Sequence, residues 1–298
     1  MIAAPNALRG PEFLYQNPRA RADDLHGALT NPDIDGIVSI IGGDDSVRLL
    51  PHFDLGLIRE HPKVMLGFSD TTVTLLQFLR AGVTAFYGPS VLTDFAENGG
   101  IRPFVRKSVR KALFNAQPFA LRAAPEWTEQ RVDWQNPSLQ EQRRTFEPGG
   151  GWAWLGSEAR AEGHLIGGCL EVLDMLCGTP GWPEPQLWEG AILCLETSED
   201  VPPPAQVGYW LRNFGAQGIL GKLAGMLLAR PRGYTPGMVQ DLYAWTRRVL
   251  WEYGREDLPL VANLDFGHTS PQLALPLGAR AAIDPVLKTV EVLEPGVA

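Results

Sequence analysis

Ser69, Glu196 and His268 are the three side chains whose types and settings could carry nucleophilic acyl transfer. A serine hydroxyl is a poor nucleophile at neutral pH and needs a base beside it. An imidazole can be that base, and a carboxylate holds the imidazole in the working tautomer and stabilises its cation. Each of the three closes or follows a short apolar run. Ser69 follows Val64 to Leu66, Glu196 ends the run GAILCLE (190–196), and His268 comes just after Leu260 to Leu264, between Gly267 and Thr269. Each also has a plainer reading. Ser69 could cap the helix that follows it, Glu196 could pair with Arg212, and His268 could bond to loop backbone. His164, just ahead of another apolar run, is the second choice for the base. His26, His52 and His61 fall in helix or helix-turn settings that read as surface.

The elements that must position these groups are strands followed by tight turns. Lys63 to Leu66 reads as the end of a strand and Thr71 to Leu79 as the start of an amphipathic helix, so Gly67–Phe68–Ser69–Asp70 has room only for a sharp turn. A serine on such a turn has its hydroxyl pushed clear of the sheet, with the first helix amides beside it. Thr71 stands where the common elbow has its second glycine. An oxyanion needs backbone amides fixed in advance. The elbow predicts one from Asp70, and the loop Gly42–Gly43–Asp44 after the strand Gly36 to Ile41 is the best source of the other, through Gly43–Asp44. The plain alternative for this glycine pair is a tight turn.

Strands and helices alternate through the first third: a helix from Asn17 into Ala28, a strand buried on both faces at Gly36 to Ile41, a helical pattern at Leu49 to Glu60, the strand Val64 to Leu66, a strand at Ala85 to Gly88 and a helix at Ile101 to Phe114. Such alternation predicts a parallel sheet with helices on its faces, whose ligands bind at the carboxyl ends of the strands. Residues 116–151 mix Pro, Gln, Glu, Arg and Trp without period and read as a long connection. Order resumes at Trp152 and alternates to the end. The expected organisation is therefore 1–115, an N-terminal Rossmann-like domain, 116–151, an interdomain connection, and 152–298, a smaller C-terminal α/β domain carrying Glu196 and His268.

Composition narrows the partners. With 298 residues, 45% of them hydrophobic, the chain can bury one large core or two ordinary domains. The net charge of −8 and the lack of any Lys/Arg-rich run set nucleic acid aside. Cys169, Cys177 and Cys194 sit in apolar runs without zinc spacing, which predicts buried thiols in a reducing compartment. No leader pattern opens the chain and no apolar run reaches membrane-spanning length. These features predict a cytoplasmic protein without a membrane partner. Nine tryptophans is a high count. Trp127, Trp134, Trp152 and Trp154 lie in or beside the connection, where aromatics can line a groove or pack at the domain junction.

The segments IGGDDS (41–46), PKVMLGFSDTT (62–72), GHLIGGCLEVLDMLCGT (163–179), ILCLETSED (192–200) and NLDFGHTSPQLALPLG (263–278) resemble the LD-carboxypeptidase family of serine peptidases. LETSED, DFGHTSP and GWAWLGSEARAEGHLIGG point to its branch of microcin C self-immunity proteins. The resemblance implies a triad of Ser69, Glu196 and His268 and an oxyanion hole from amides near Gly43 and Asp70. Asp44, Trp134, Trp152 and Trp154 are the expected substrate contacts, the tryptophans as candidates to stack on a nucleobase. The resemblance also implies two domains with the site between them, a homodimer, and no metal or organic cofactor. The substrate would be a peptidyl or aminoacyl nucleotide cut at an amide or acyl-phosphoramidate bond, or a murein tetrapeptide cut at its L–D bond. A non-catalytic binding homologue is the rival from another class. Two departures stand out. Family members usually begin with a further strand, helix and strand ahead of the helix that here holds Arg21 to Ala28, so either the true start lies upstream or the sheet lacks its first strand. Cys169 stands where the family commonly has asparagine.

Overall fold

The strand Val64–Gly67 lies inside a four-stranded sheet, and the computed structural model describes it together with the rest of residues 1–298. Gly36–Val38, Val64–Gly67 and Ala85–Tyr87 run parallel in that order, with Gly36 opposite Val64 and Leu66 opposite Phe86. Leu275–Leu277 returns from far along the chain to close the sheet antiparallel to Ala85–Tyr87. The strand at Gly36 is shorter than its apolar run and is not buried on both faces. Gly36 is exposed and Ile37 and Val38 are half-buried, because this strand is the edge of the sheet. The expected helix at Leu49 to Glu60 is broken by Pro51 into a 3-10 turn, Ser46–His52, and a helix, Leu55–Glu60, whose start is capped by Asp54.

The helix after the elbow, Thr72–Arg80, departs most from its sequence pattern. Residues 72 to 79 are all buried, so the helix is not amphipathic in its setting. It packs on the helix Leu55–Glu60, on the strand Ala85–Tyr87, on the strand Ala161–Cys169 and on the helix Leu170–Leu176. A helix enclosed on all sides shows no polar stripe.

The second sheet has eight strands. Its centre is four parallel strands, Ala161–Cys169, Ile192–Glu196, Gly225–Ala229 and Leu260–Leu264. Continuous apolar runs are what strands covered on both faces require, and these are buried almost throughout. The hairpin Arg280–Asp284 with Thr289–Val292, then Phe119–Ala120, extend one side antiparallel, and Ala153–Trp154 closes the other. Glu196 is the last residue of its strand, and His268 lies four residues beyond Leu264.

Residues 116–151 are irregular but tied down. Glu126–Trp127 pairs with Glu147–Pro148. Thr128 and Ser270 exchange backbone hydrogen bonds of 2.7 and 2.9 Å. Arg144 pairs with Glu97 and lies 3.6 Å from Asp94. The stretch between Thr128 and Arg144 is therefore a strap fixed at both ends. No helix is long and apolar enough to cross a membrane.

Beneath the His268 loop lies a buried ion pair. Arg230 Nη2 is 2.8 Å from Asp265 Oδ1, with the two side chains 5% and 0% exposed. Asp265 Oδ2 also accepts from the Ala124 amide and the Trp152 indole, both at 2.9 Å, and the Arg230 guanidinium lies over the Trp127 ring. Removing one partner of such a pair strands the other charge without solvent. Arg230→Met should destabilise the fold by about 3–5 kcal/mol, and adding Asp265→Asn should recover part of that loss. Urea unfolding of both variants measures it, and an unchanged midpoint for Arg230→Met would show that the pair holds nothing together.

Candidate active site

The elbow forms as the turn length requires. Ser69 has φ of 60°, a left-handed conformation uncommon for a residue with a side chain. Its backbone N–H donates to Tyr87 Oη at 3.1 Å. Thr72 Oγ1 donates to the Ser69 carbonyl at 2.6 Å and accepts from the Cys169 amide at 3.1 Å, which pins the elbow to the end of a strand in the other sheet.

Three side chains nearly 200 residues apart meet here. His268 Nε2 lies 3.1 Å from Ser69 Oγ, and His268 Nδ1–H donates to Glu196 Oε2 at 2.6 Å. Glu196 is 1% exposed. Arg212, its alternative partner, binds Glu252 instead. His164, the second choice for the base, is committed to the Leu187 carbonyl at 2.7 Å.

The Gly42–Gly43 loop packs against this serine. A Cβ on Gly42 would come within 2.8 Å of Ser69 Cβ and 2.9 Å of Ser69 Oγ, so only glycine allows this approach. The Gly43 amide makes no hydrogen bond within the chain. Asp70 supplies its own amide beside Ser69, and its buried side chain braces the opposing loop by accepting from the Ser46 amide at 2.9 Å. Burial raises the Asp70 carboxyl above its usual range, against the lowering effect of the Ser46 bonds. Asp44 follows Gly43 with its side chain exposed.

Tyr87, Glu199 and Arg131 are site residues that the sequence reading did not single out. Tyr87 is fully buried and donates to Glu196 Oε1. Burial and then the Glu196 charge push its phenol well above the ordinary range, so it remains a donor. Its only sequence signal was a polar tip at the end of an apolar strand. Glu199 Oε2 lies 2.8 Å from His268 Nε2, and Arg131 Nη1 holds Glu199 Oε1 at 3.0 Å. His268 is thus faced by a carboxylate on each ring nitrogen. Burial opposes its charge, but Glu196 and then Glu199 outweigh burial and raise it to about 9. The hydrogen bond to His268 holds Glu199 far below the usual carboxylate range.

Beside His268 opens a cleft lined by Phe68, Arg131, Trp134 and Arg144 among others. Trp134 is 46% exposed there. Trp152 and Trp154 do not line it. The Trp152 indole is spent on Asp265, and Trp154 sits in the edge strand and packs against the core. Trp127 lies under Arg230. Cys169 is buried, its thiol donating to Glu171 at 3.3 Å. Cys194 is also buried, whereas Cys177 is partly exposed. No three His, Cys, Asp or Glu side chains cluster as metal ligands.

Known proteins carry the same arrangement of chain. Residues 2–88 match the LD-carboxypeptidase N-terminal domain and residues 162–283 the LD-carboxypeptidase C-terminal domain. The microcin C7 self-immunity protein MccF of Escherichia coli is 28% identical over 293 residues, which is 96% of this chain and 82% of that protein. The murein tetrapeptide carboxypeptidase of Pseudomonas aeruginosa is 27% identical over 276 residues, 91% of this chain and 80% of that one. The crystal structure of an MccF-like protein from Streptococcus pneumoniae in complex with AMP superposes with a TM-score of 0.86 at 30% identity, covering 97% of this chain and 87% of that one. Both halves match, and the likeness runs through the elbow, the Glu196 strand and the His268 loop alike, so the chain belongs to the LD-carboxypeptidase family, in its MccF-like branch.

Proposed function

We propose that this protein is a serine carboxypeptidase-like hydrolase that cleaves the amide or acyl-phosphoramidate bond of a microcin C-like peptidyl or aminoacyl nucleotide, and so detoxifies it. The observation that carries the reading is the continuous contact from Ser69 Oγ through His268 to Glu196, opening on a cleft that holds Trp134. His268 Nε2 takes the Ser69 proton as Oγ attacks the carbonyl carbon. The oxyanion that forms is held by the Gly43 and Asp70 amides, where each such donor is worth roughly 10²–10³-fold in rate. As the tetrahedral species collapses, the bond to nitrogen breaks and His268 returns the proton to that nitrogen. Water, deprotonated by the same imidazole, then releases the acyl group from Ser69. Neither carboxylate nor phenol changes protonation in this sequence. Glu196 stabilises the imidazolium, and Tyr87 keeps Glu196 aimed. Asp44, exposed at the mouth of the glycine loop, belongs to the substrate contacts of this reading. So do a homodimer and a cytoplasmic setting.

Murein tetrapeptide carboxypeptidase is the second reading, favoured by the likeness to the Pseudomonas aeruginosa enzyme. The same chemistry serves both, so the leaving group must discriminate. Mass-spectrometric cleavage of an aminoacyl sulfamoyl adenosine and of a murein tetrapeptide, side by side, tests the assignment. Turnover of the nucleotide alone is expected, and turnover of the murein peptide alone would replace the first reading by the second.

Ser69→Ala should cut kcat by at least about 10³-fold, because the remaining groups act only through the serine. Unchanged ligand binding with no turnover even in the wild type would instead favour a non-catalytic binder. Trp134→Ala should raise KM for the nucleotide substrate about tenfold, the worth of one base stacked on an aromatic ring, and leave KM for a murein peptide unchanged. Equal effects on both would remove Trp134 as a nucleobase shelf. Tyr87→Phe should lower kcat about tenfold at constant KM, and move the acid limb of the pH–rate profile to higher pH. Without the phenol donor the Glu196 charge is less satisfied and holds the His268 proton more tightly. A lower unfolding midpoint with an unmoved limb would reduce Tyr87 to a packing residue.

A further inference from the structure

His268 Nε2 carries one proton at most, yet it faces two oxygens, Ser69 Oγ at 3.1 Å and Glu199 Oε2 at 2.8 Å. A general base must present a lone pair to the serine. A lone pair on Nε2 would then face the lone pairs of an ionised carboxylate 2.8 Å away, which is repulsive. Contact with Glu199 and readiness to act as base therefore exclude each other. The conformation seen is an imidazolium gripped by Glu196 on one side and Glu199 on the other.

Glu199 is built to leave. Its backbone is anchored, since Ser198 donates to Glu171 Oε1 through both its amide and its hydroxyl at 2.8 Å. Its side chain is 41% exposed and its one hydrogen-bonded ion pair on the far side is with Arg131, itself 42% exposed. A pair so wet is weak and exchangeable. Arg131 rides on the strap between Thr128 and Arg144, beside Trp134 in the same cleft. One carboxylate thus spans the gap between the imidazole and a guanidinium.

The substrates of the proposed reaction place an anion in a similar relation to the scissile bond. The phosphoryl group of an acyl-phosphoramidate adjoins the leaving nitrogen directly, and the carboxylate of a terminal amino acid lies one carbon from it. We propose that Arg131 is the receptor for this substrate anion and that Glu199 is its internal stand-in, displaced when the substrate binds. The exchange replaces one anion by another beside Arg131 and seats the leaving nitrogen near His268 Nε2; with Glu199 withdrawn, the imidazolium releases its Nε2 proton to solvent, so that this ring nitrogen serves as base only once a substrate with the correct anion is present. Arg131 is then a specificity residue and Glu199 a positioning residue that acts through His268. This inference rests on the hydrolase reading for its chemistry, but the anion exchange itself can be tested without turnover.

The groups that set the titration of His268 are Glu196 and Glu199 in contact, Arg131 and Arg232 around Glu199, and Tyr87, Cys169 and Glu171 around Glu196. In Glu199→Gln one of the two contacting anions is gone, so the imidazole loses its proton at lower pH. Fluorophosphonate labelling of Ser69 between pH 5 and 10 reads this directly. Wild type should label with a midpoint near 9. Glu199→Gln should move the midpoint down by about one unit and so label about tenfold faster at pH 7. AMP, titrated by calorimetry, probes the other half. It should bind about tenfold more weakly to Arg131→Gln and more tightly to Glu199→Gln, since a charge-assisted contact is lost in one and a competitor in the other. Circular dichroism establishes that both variants are folded. An unmoved midpoint, or loss of labelling at every pH in folded Glu199→Gln, overturns the displacement. AMP affinity indifferent to both substitutions overturns the receptor. Absence of labelling and turnover in wild type sinks the hydrolase reading instead, while the AMP titrations still decide between exchange and no exchange.

Discussion

A closed circuit of hydrogen bonds fixes the site. It runs from the Ser69 amide to the Tyr87 phenol, on to one oxygen of Glu196, from the other oxygen to His268 Nδ1, and from Nε2 back to the hydroxyl of Ser69. The serine enters the circuit twice, through its backbone and through its side chain. That double entry is possible only because φ is left-handed, which aims the amide at Tyr87 while the hydroxyl stands over the imidazole. The strain of that conformation persists because the surroundings over-determine it. Tyr87 and Glu196 are within 1% of complete burial, so each bond in the circuit replaces one that water cannot supply.

The circuit spans two sheets. Ser69 and Tyr87 leave neighbouring parallel strands of the first, and Glu196 and His268 follow strands of the second. Its accuracy therefore depends on how the sheets are locked together. Thr72 is one lock, joining the elbow carbonyl to the Cys169 amide. The helix that Thr72 begins, buried through Leu79, is another, since it packs on elements of both halves. Gly267 shows how tight the fit is. Its φ is +84°, and a Cβ there would fall 2.6 Å from Glu196 Oε2, so the His268 loop crosses the carboxylate with no space for a side chain. Close-packed interiors transmit a displacement of this size rather than absorb it.

Strand ends and glycines made much of this legible in the sequence. Apolar runs that stop at Ser69, Glu196 and just short of His268 mark the carboxyl edges where parallel sheets hold ligands, and Gly42–Gly43 marks a backbone able to approach closely. What escaped notice depends on which strands become neighbours. Tyr87 reads as one more apolar strand residue until the register sets Phe86 beside Leu66 and its ring beneath the elbow. Glu199 reads as a loop carboxylate until the fold turns it onto Nε2. The helix Thr72–Arg80 and the strand Gly36–Val38 were misjudged for one reason: periodicity reports how many faces are covered only if the neighbours are known. Trp152 and Trp154 are indistinguishable by composition from Trp134, and only the Asp265 acceptor and the edge pairing of Trp154 separate packing from cleft.

The distribution of charge gives the strap its place in the design. Tyr87 and Glu196 are buried and fixed, and neither can shift against the imidazole without breaking the circuit. In the proposed reaction, control of the base therefore comes from outside it, from a group with solvent on one side. The cleft wall offers such a group where the strap brings Arg131 to the tip of the Glu196–Asp200 loop. The strap is tied to the His268 loop at Thr128 and to the first half of the chain through Arg144, so it keeps Arg131 within reach of the imidazole with its side chain open to solvent. A buried circuit for precision and an exposed ion pair for responsiveness are complementary solutions to one electrostatic problem. In the proposed reaction the imidazole loses and regains a proton in every cycle, and a base used in that way cannot rest between two permanent anions.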